Sequence, residues 1–207
     1  MLWNVFLAVI PVIFAQLIVM LAIRHNKNVL DWALITVLGI VWLAFLPNTC
    51  YLITEWRHFL TQLDIENLYV RAHLSSFITV WLMTYTALYF CYSGIGMIAF
   101  TLAIRPLARM LKEKGVITWI PGIILFTMLS IGVYLGLVHR YNSWDLLNRP
   151  SEILSSITTI ANRPILTSLV IVFAAFLWLS YFAIDVWIDG FLGRWNAIFT
   201  QARSNKR

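Results

Sequence analysis

Two short segments carry most of the side chains that could do chemistry. The first motif, PNTCYLITEWRH at residues 47–58, places a carboxylate at Glu55 and an imidazole at His58. These residues are three positions apart, one turn of a helix, so both side chains can reach the same ligand. The second motif, RYNSWD at residues 140–145, ends in a further carboxylate at Asp145. These residue types at this spacing are therefore typical of two kinds of site, a metal-binding site and an acid–base catalytic site.

A carboxylate and an imidazole at this spacing suit a divalent metal such as zinc, iron or manganese. A metal needs at least two further ligands, so the first motif cannot hold one alone. Asp145 and His139 are the available ligands near the second motif. The sequence thus predicts a metal site made of Glu55, His58 and Asp145, with His139 as a further candidate.

The same residues also fit a catalytic site without a metal. Glu55 would orient His58 as a general base, and Arg140 or Asn142 would hold an anionic substrate. The candidate catalytic residues are then Glu55, His58 and Asp145. The sequence does not decide whether any reaction is catalysed.

A structural interpretation competes with both. On a helix, Asn48, Tyr51, Glu55, His58 and Gln62 recur at the helical period and form one polar face. Amphipathic helices at a membrane surface have this pattern, and their polar face simply meets water and headgroups. The second motif, in turn, contains residue types typical of capped turns. Spacing alone leaves both interpretations open.

Composition predicts the class of protein. Of 207 residues, 61% are hydrophobic and 12% are charged, whereas soluble domains are nearer half apolar and a quarter charged. Several apolar runs of about 20 residues predict an all-α, polytopic transmembrane bundle forming one integral membrane domain over residues 1–207. The expected segments are five spans at about 2–23, 29–46, 74–104, 116–138 and 164–187, an amphipathic interfacial helix at 47–63 and an outer segment at 139–149.

The third predicted span is unusual because no charge appears from residue 74 until Arg105. This stretch is too long for one perpendicular crossing of a ~30 Å hydrocarbon core and too short for two. It predicts either a strongly tilted helix or one broken near Ser93–Gly96. In the next predicted span, Gly132 and Gly136 form a small-xxx-small pair that allows close helix packing.

The distribution of basic residues predicts the orientation. With five spans, ten Lys and Arg residues fall on one side of the membrane and five on the other. The positive-inside rule then places the N-terminus outside and the C-terminus in the cytoplasm. Both motifs are expected on the outer face. The net charge of +6 is explained by these interfacial clusters and does not indicate nucleic-acid binding.

Further charged residues lie near the cytoplasmic ends of the spans. Asp185 and Asp189 are one turn apart and are expected to face water or to pair with Arg194. A basic stripe on one helical face is expected to contact anionic lipid headgroups. The stripe consists of Arg105, Arg109 and Lys112.

The two motifs together resemble the signatures of a bacterial family of multi-pass membrane proteins, the domain of unknown function 1361 family. Its patterns are PNxPYLxTDxxH and RWNSWD, and the resemblance covers essentially the whole chain. This sequence departs from them at Cys50, Glu55 and Tyr141, and the mismatch at His139 removes that residue as a ligand candidate. The site that the resemblance implies consists of Asn48, Tyr51, Thr54, Glu55, His58, Arg140, Asn142, Ser143, Trp144 and Asp145.

The family supplies no reaction, so three functional hypotheses remain. The first is a ligand- or metal-binding site on the outer face, formed by both motifs. The second is an accessory or assembly subunit of a larger membrane complex, in which the motifs form a structural polar network and the chain has a membrane-protein partner. The third, a small transporter, is disfavoured because no inverted repeat and no acid near the membrane midplane is found.

Overall fold

Almost all of the chain that the computed structural model describes is α-helical. The structure describes residues 2–65, 67–141 and 145–204, and only the backbone is described at 2, 57, 58, 146, 147 and 198–204. No strand occurs in those ranges, so the predicted all-α class is confirmed. The helices are α1 (Leu2–Ile23), α2 (Val29–Phe45), α3 (Pro47–Thr54), α4 (Trp56–Ile65), α5 (Leu68–Leu74), α6 (Ser76–Glu113), α7 (Trp119–Val138), α8 (Asp145–Asn148), α9 (Pro150–Asn162) and α10 (Pro164–Ser204).

Five helical segments are long and apolar enough to cross a membrane, which confirms the polytopic bundle. The outward faces are also apolar: Leu30 is 72% exposed, Phe77 80% and Ile165 82%. So continuous an apolar surface is typical of a protein in contact with lipid and is rarely found on proteins in water. The five segments are Trp3–Ile23, Val29–Ile65, Ser76–Glu113, Trp119–Val138 and Pro164–Ala197.

Helix α6 lies at the centre of the packing. It continues without a break from Ser76 to Glu113, about 57 Å at 1.5 Å per residue. Of the two sequence-based alternatives, the structure has the unbroken helix. It packs against α1, α3 and α10, and the main core lies between these helices and α7. That core contains Leu46, Cys50, Phe100, Ala103, Ile104, Phe126, Leu129, Val133 and Leu177.

The helix α3 lies inside the bundle. Pro47 separates it from α2, because proline has no N–H to continue the helical hydrogen bonds. The Thr49 hydroxyl donates to the Leu46 carbonyl at 2.7 Å, and the same carbonyl accepts the Thr49 backbone N–H at 3.1 Å. Thr49, Cys50 and Leu52 are buried, with α1, α6 and α7 as neighbours. The first half of the expected interfacial segment therefore packs against protein, and α4 continues beyond it.

Glycines on the neighbouring helices allow α3 to come this close. A Cβ added at Gly96 of α6 would lie 2.5 Å from the Leu52 Cβ and 3.2 Å from the Thr49 carbonyl oxygen. On α7, a Cβ at Gly132 would lie 3.2 Å from the Pro47 Cγ. The glycine pair of α7 thus faces α3, and Gly96 serves close packing within an unbroken helix.

We expect Gly96→Ala to destabilise the fold, because the new methyl group would overlap Leu52. Overpacking of this kind costs about 1–3 kcal/mol. The matched control is Gly94→Ala on the same helix, since nothing lies within 4 Å of a Cβ there. Thermal unfolding in detergent should show a lower midpoint for Gly96→Ala alone. Equal midpoints for the two variants would contradict the close approach of α3.

Candidate functional site

The first motif is distributed over α3, α4 and the junction between them. Tyr51 and Thr54 lie on α3, and the Thr54 hydroxyl donates to the Tyr51 carbonyl oxygen at 3.0 Å. Asn48 lies half-buried on the first turn of α3. Glu55 joins α3 to α4. His58 lies on α4, and its side chain is outside the described part of the structure.

The Glu55 carboxylate is half-buried among polar groups from two other helices. The Asn4 side chain of α1 donates a hydrogen bond to its Oε1 at 2.8 Å. Asn4 also shares a side-chain hydrogen bond with Tyr92 of α6. The hydrogen bond from Asn4 fixes the orientation of the Glu55 carboxylate, while part of the side chain remains exposed to solvent. Asn4 and Tyr92 thus join the site, although neither belongs to a motif.

An aromatic wall lies beside Glu55. The Trp56 indole N–H donates to the Ser93 hydroxyl at 2.7 Å, which ties the start of α4 to α6. The rings of Trp56, Phe59 and Tyr89 contact one another, with Phe59 and Tyr89 buried. These contacts fix the position of the α3–α4 junction, so Glu55 is presented by a rigid support.

Tyr51 connects the first motif to the helix that precedes the second motif. Its hydroxyl lies 3.4 Å from the Gly132 carbonyl oxygen of α7, a long hydrogen bond. A Cβ at Gly136 would overlap the same hydroxyl. Gly136 is one turn of sequence before Arg140. Tyr51 therefore lies against the last turn of α7, where the second motif begins.

The second motif starts with an unusual backbone conformation. Arg140 has φ +57°, a left-handed conformation, and its side chain is exposed. The preceding His139 stacks on Tyr141, with ring centroids 5.6 Å apart. Asp145 begins the short helix α8 and is half-buried. The remaining predicted ligand-binding residues lie outside the described residues: Asn142, Ser143 and Trp144.

The predicted metal site of Glu55, His58 and Asp145 stays a prediction. Among the residues whose side chains the structure describes, no group of three His, Cys, Asp or Glu side chains could hold a metal ion. Because the His58 side chain lies outside that part, this search does not test the predicted ligand set. Of the predicted ligands, Glu55 has a carboxylate that the Asn4 side chain orients through a hydrogen bond.

Sequence reasoning missed an ionic cluster at the opposite end of the bundle. Arg105 is 7% exposed, and its Nε lies 2.8 Å from the Asp185 carboxylate of α10. The N–H is not aimed for a hydrogen bond, so this contact is an ion pair. Arg105 also contacts Asp189, which binds Arg109 at 2.5 and 2.7 Å.

The partners of Asp185 and Asp189 are thus Arg105 and Arg109 in place of Arg194, while the Asp189 side chain, at 51% exposed, also faces water as expected. Of the predicted basic stripe, Arg105 and Arg109 are paired within the chain. The sequence did contain a signal for the ionic cluster. Two basic and two acidic residues lie at the same end of two predicted spans, and within each pair the residues are one helical turn apart. Contact with anionic headgroups by the stripe stays untested.

Comparison with known families matches residues 3–180 to a family described as Protein of unknown function (DUF1361). The match covers more than three quarters of the chain. No curated protein and no solved structure matches. The resemblance noted from the sequence is thus confirmed at the level of the family.

We expect Arg105→Leu to destabilise the protein by about 3–5 kcal/mol, because removing one partner leaves Asp185 charged and uncompensated. Adding Asp185→Asn should restore part of that loss, since the uncompensated charge is then gone. Lys112→Ala, at an exposed site of the same helix, serves as the control. The stability of all four proteins (the wild type, the single and double variants and the control) is measured by unfolding in detergent. An Arg105→Leu variant as stable as the wild type would contradict a structural role for the cluster.

Proposed function

We propose that this chain, which belongs to the DUF1361 family, binds an anionic ligand at the end of the bundle that carries both motifs. The ligand is either a small molecule or the headgroup of a lipid-linked molecule. This end faces the outside of a bacterial plasma membrane, with the N-terminus outside and the C-terminus in the cytoplasm. Arg140 supplies the positive charge, and Glu55, with His58, supplies the polar groups on the opposite wall.

The contact of Tyr51 with α7 carries the proposal. Its hydroxyl lies against Gly132 and Gly136, so the middle of the first motif packs against the last two turns of α7, shortly before the second motif starts. The two motifs are separated by about eighty residues of sequence, and this packing supports a composite site that both motifs form. Asn48, Thr54, Asn142, Ser143 and Trp144 are the further ligand-binding candidates.

The backbone of Arg140 is the second support. A left-handed conformation costs a residue with a side chain about 1–2 kcal/mol, and glycine is the usual residue just after a helix for this reason. An arginine at this position therefore accepts a backbone cost that glycine would avoid. Its guanidinium is exposed and offers donors in the fork geometry that matches carboxylate and phosphate groups.

A specific observation favours the alternative, an accessory subunit in which the motifs form a structural network. Glu55 and Trp56 both have hydrogen-bond partners inside the chain, Asn4 and Ser93. Under this alternative the polar side chains serve the fold, and function comes from a partner protein. Co-purification of a membrane protein at fixed stoichiometry would support it.

Arg140→Gly distinguishes the two. If Arg140 binds the ligand, the variant should lose the stabilisation that anions give. In the wild type this stabilisation is about 2.7 kcal/mol when the anion concentration is one hundred times Kd. Its stability without ligand should be unchanged or higher, because glycine relieves the backbone cost. Thermal unfolding is measured with inorganic phosphate, pyrophosphate and glycerol phosphate. The control is Asn67→Gly, a second left-handed site with φ +47° outside the motifs.

Two results would contradict the proposal. One is a wild-type protein that none of the three anions stabilises. The other is an Arg140→Gly variant that is less stable without ligand yet keeps its response to anions, as a structural arginine would predict. Metal analysis of the same preparations tests the predicted metal site separately: a divalent ion absent from Glu55→Ala and His58→Ala, but present in Gln62→Ala, would assign it.

The orientation has its own test. A cysteine introduced at Asp64 should react with a membrane-impermeant thiol reagent in intact cells, and one at Lys112 only after permeabilisation. The background is Cys91→Ser, since Cys91 is exposed and Cys50 is buried. Labelling is read by a mass-tag gel shift. The reverse pattern would place the N-terminus in the cytoplasm and both motifs on the inner face.

A further inference from the structure

An apolar cavity lies at the end of the bundle opposite the two motifs. Its volume is about 480 Å³, within the range of small-molecule sites. Helices α2, α6, α7 and α10 contribute to its walls. Its lining includes Trp42, Leu111, Trp119, Leu125, Trp178 and Tyr181.

The cavity reaches the lipid-facing surface. Trp119 is 66% exposed and Trp178 51% exposed, so two of its walls lie on the outside of the bundle. A space that opens sideways in a membrane meets hydrocarbon chains before it meets water. The occupant that fits is therefore an acyl chain.

A charged turn adjoins the cavity at its rim. Leu111 and Thr118 both line the cavity, and the chain between them forms the turn from α6 to α7. This turn carries Lys112 and Lys114 with Glu113 between them, all exposed, for a net charge of +1. Gly115, at φ +73°, reverses the chain there.

The neighbouring arginines are engaged elsewhere. Arg105 and Arg109 bind Asp185 and Asp189, so these two positive charges are matched by two negative charges within the chain. The lysines of the α6–α7 turn are thus the cations placed to meet a headgroup at this rim. A lysine near an anionic headgroup contributes about 1 kcal/mol.

We propose that this cavity binds one acyl chain of an anionic phospholipid and that Lys112 and Lys114 bind its phosphate. The charge of the rim commits the site to an anionic lipid. The site is independent of the proposed ligand site, because it lies at the other end of the bundle.

Native mass spectrometry of the delipidated protein in detergent tests this. It is titrated with phosphatidylglycerol and with phosphatidylcholine carrying the same acyl chains. The wild type should bind phosphatidylglycerol at several-fold lower concentration. Lys112→Ala with Lys114→Ala should remove this preference and leave residual binding of both lipids.

Filling the cavity should abolish binding of both lipids. Gly122→Leu does so, because Gly122 lines the cavity and a Cβ there meets only Phe126, at 3.9 Å. Ala108→Phe fills it from α6 and serves if the first variant does not fold. Gly39→Leu is the control, a helical glycine with nothing within 4 Å of a Cβ and outside the cavity lining. Equal wild-type affinity for the two lipids, or full binding by a folded filling variant, would overturn the proposal.

Discussion

The break at Pro47 is the constraint on which the rest of the bundle depends. A proline in an apolar helix leaves backbone groups without partners, and hydrocarbon offers none. The protein encloses α3 between α1, α6 and α7, so the break lies against protein and not against lipid. Close enclosure requires that the neighbouring helices carry no side chain where they meet α3. Gly96 and Gly132 satisfy that requirement.

Enclosing α3 fixes the positions of the motif residues. Tyr51 is directed at the last turn of α7, and Glu55, at the end of α3, meets Asn4 of α1. Both contacts depend on α3 lying inside the bundle, since a helix resting on the membrane surface would reach neither partner. The same packing therefore serves as structural support and as the arrangement of the candidate site.

The two ends of the bundle differ in chemistry. One end carries Glu55 among hydrogen-bond donors and aromatic rings. The other carries the ion pairs of Arg105 and Arg109 with Asp185 and Asp189, beside an apolar cavity that adjoins the lysine-bearing turn between α6 and α7. Ion pairs between α6 and α10 bring the third and fifth spans together at that end. Polar groups in apolar surroundings are thus partnered by hydrogen bonds at one end and by ion pairs at the other.

The sequence by itself determined the all-α membrane class, the boundary between the second span and the helix that begins at residue 47, and the family, because apolar runs, proline and motif residues act through local chemistry. It did not predict the burial of α3, the role of Asn4 or the pairing of Arg105 with Asp185 and Asp189. In a membrane, apolar residues face lipid as readily as they face protein, so periodicity does not reveal which face packs inward. Only the tertiary structure decided which helices meet, and hence which polar groups become partners.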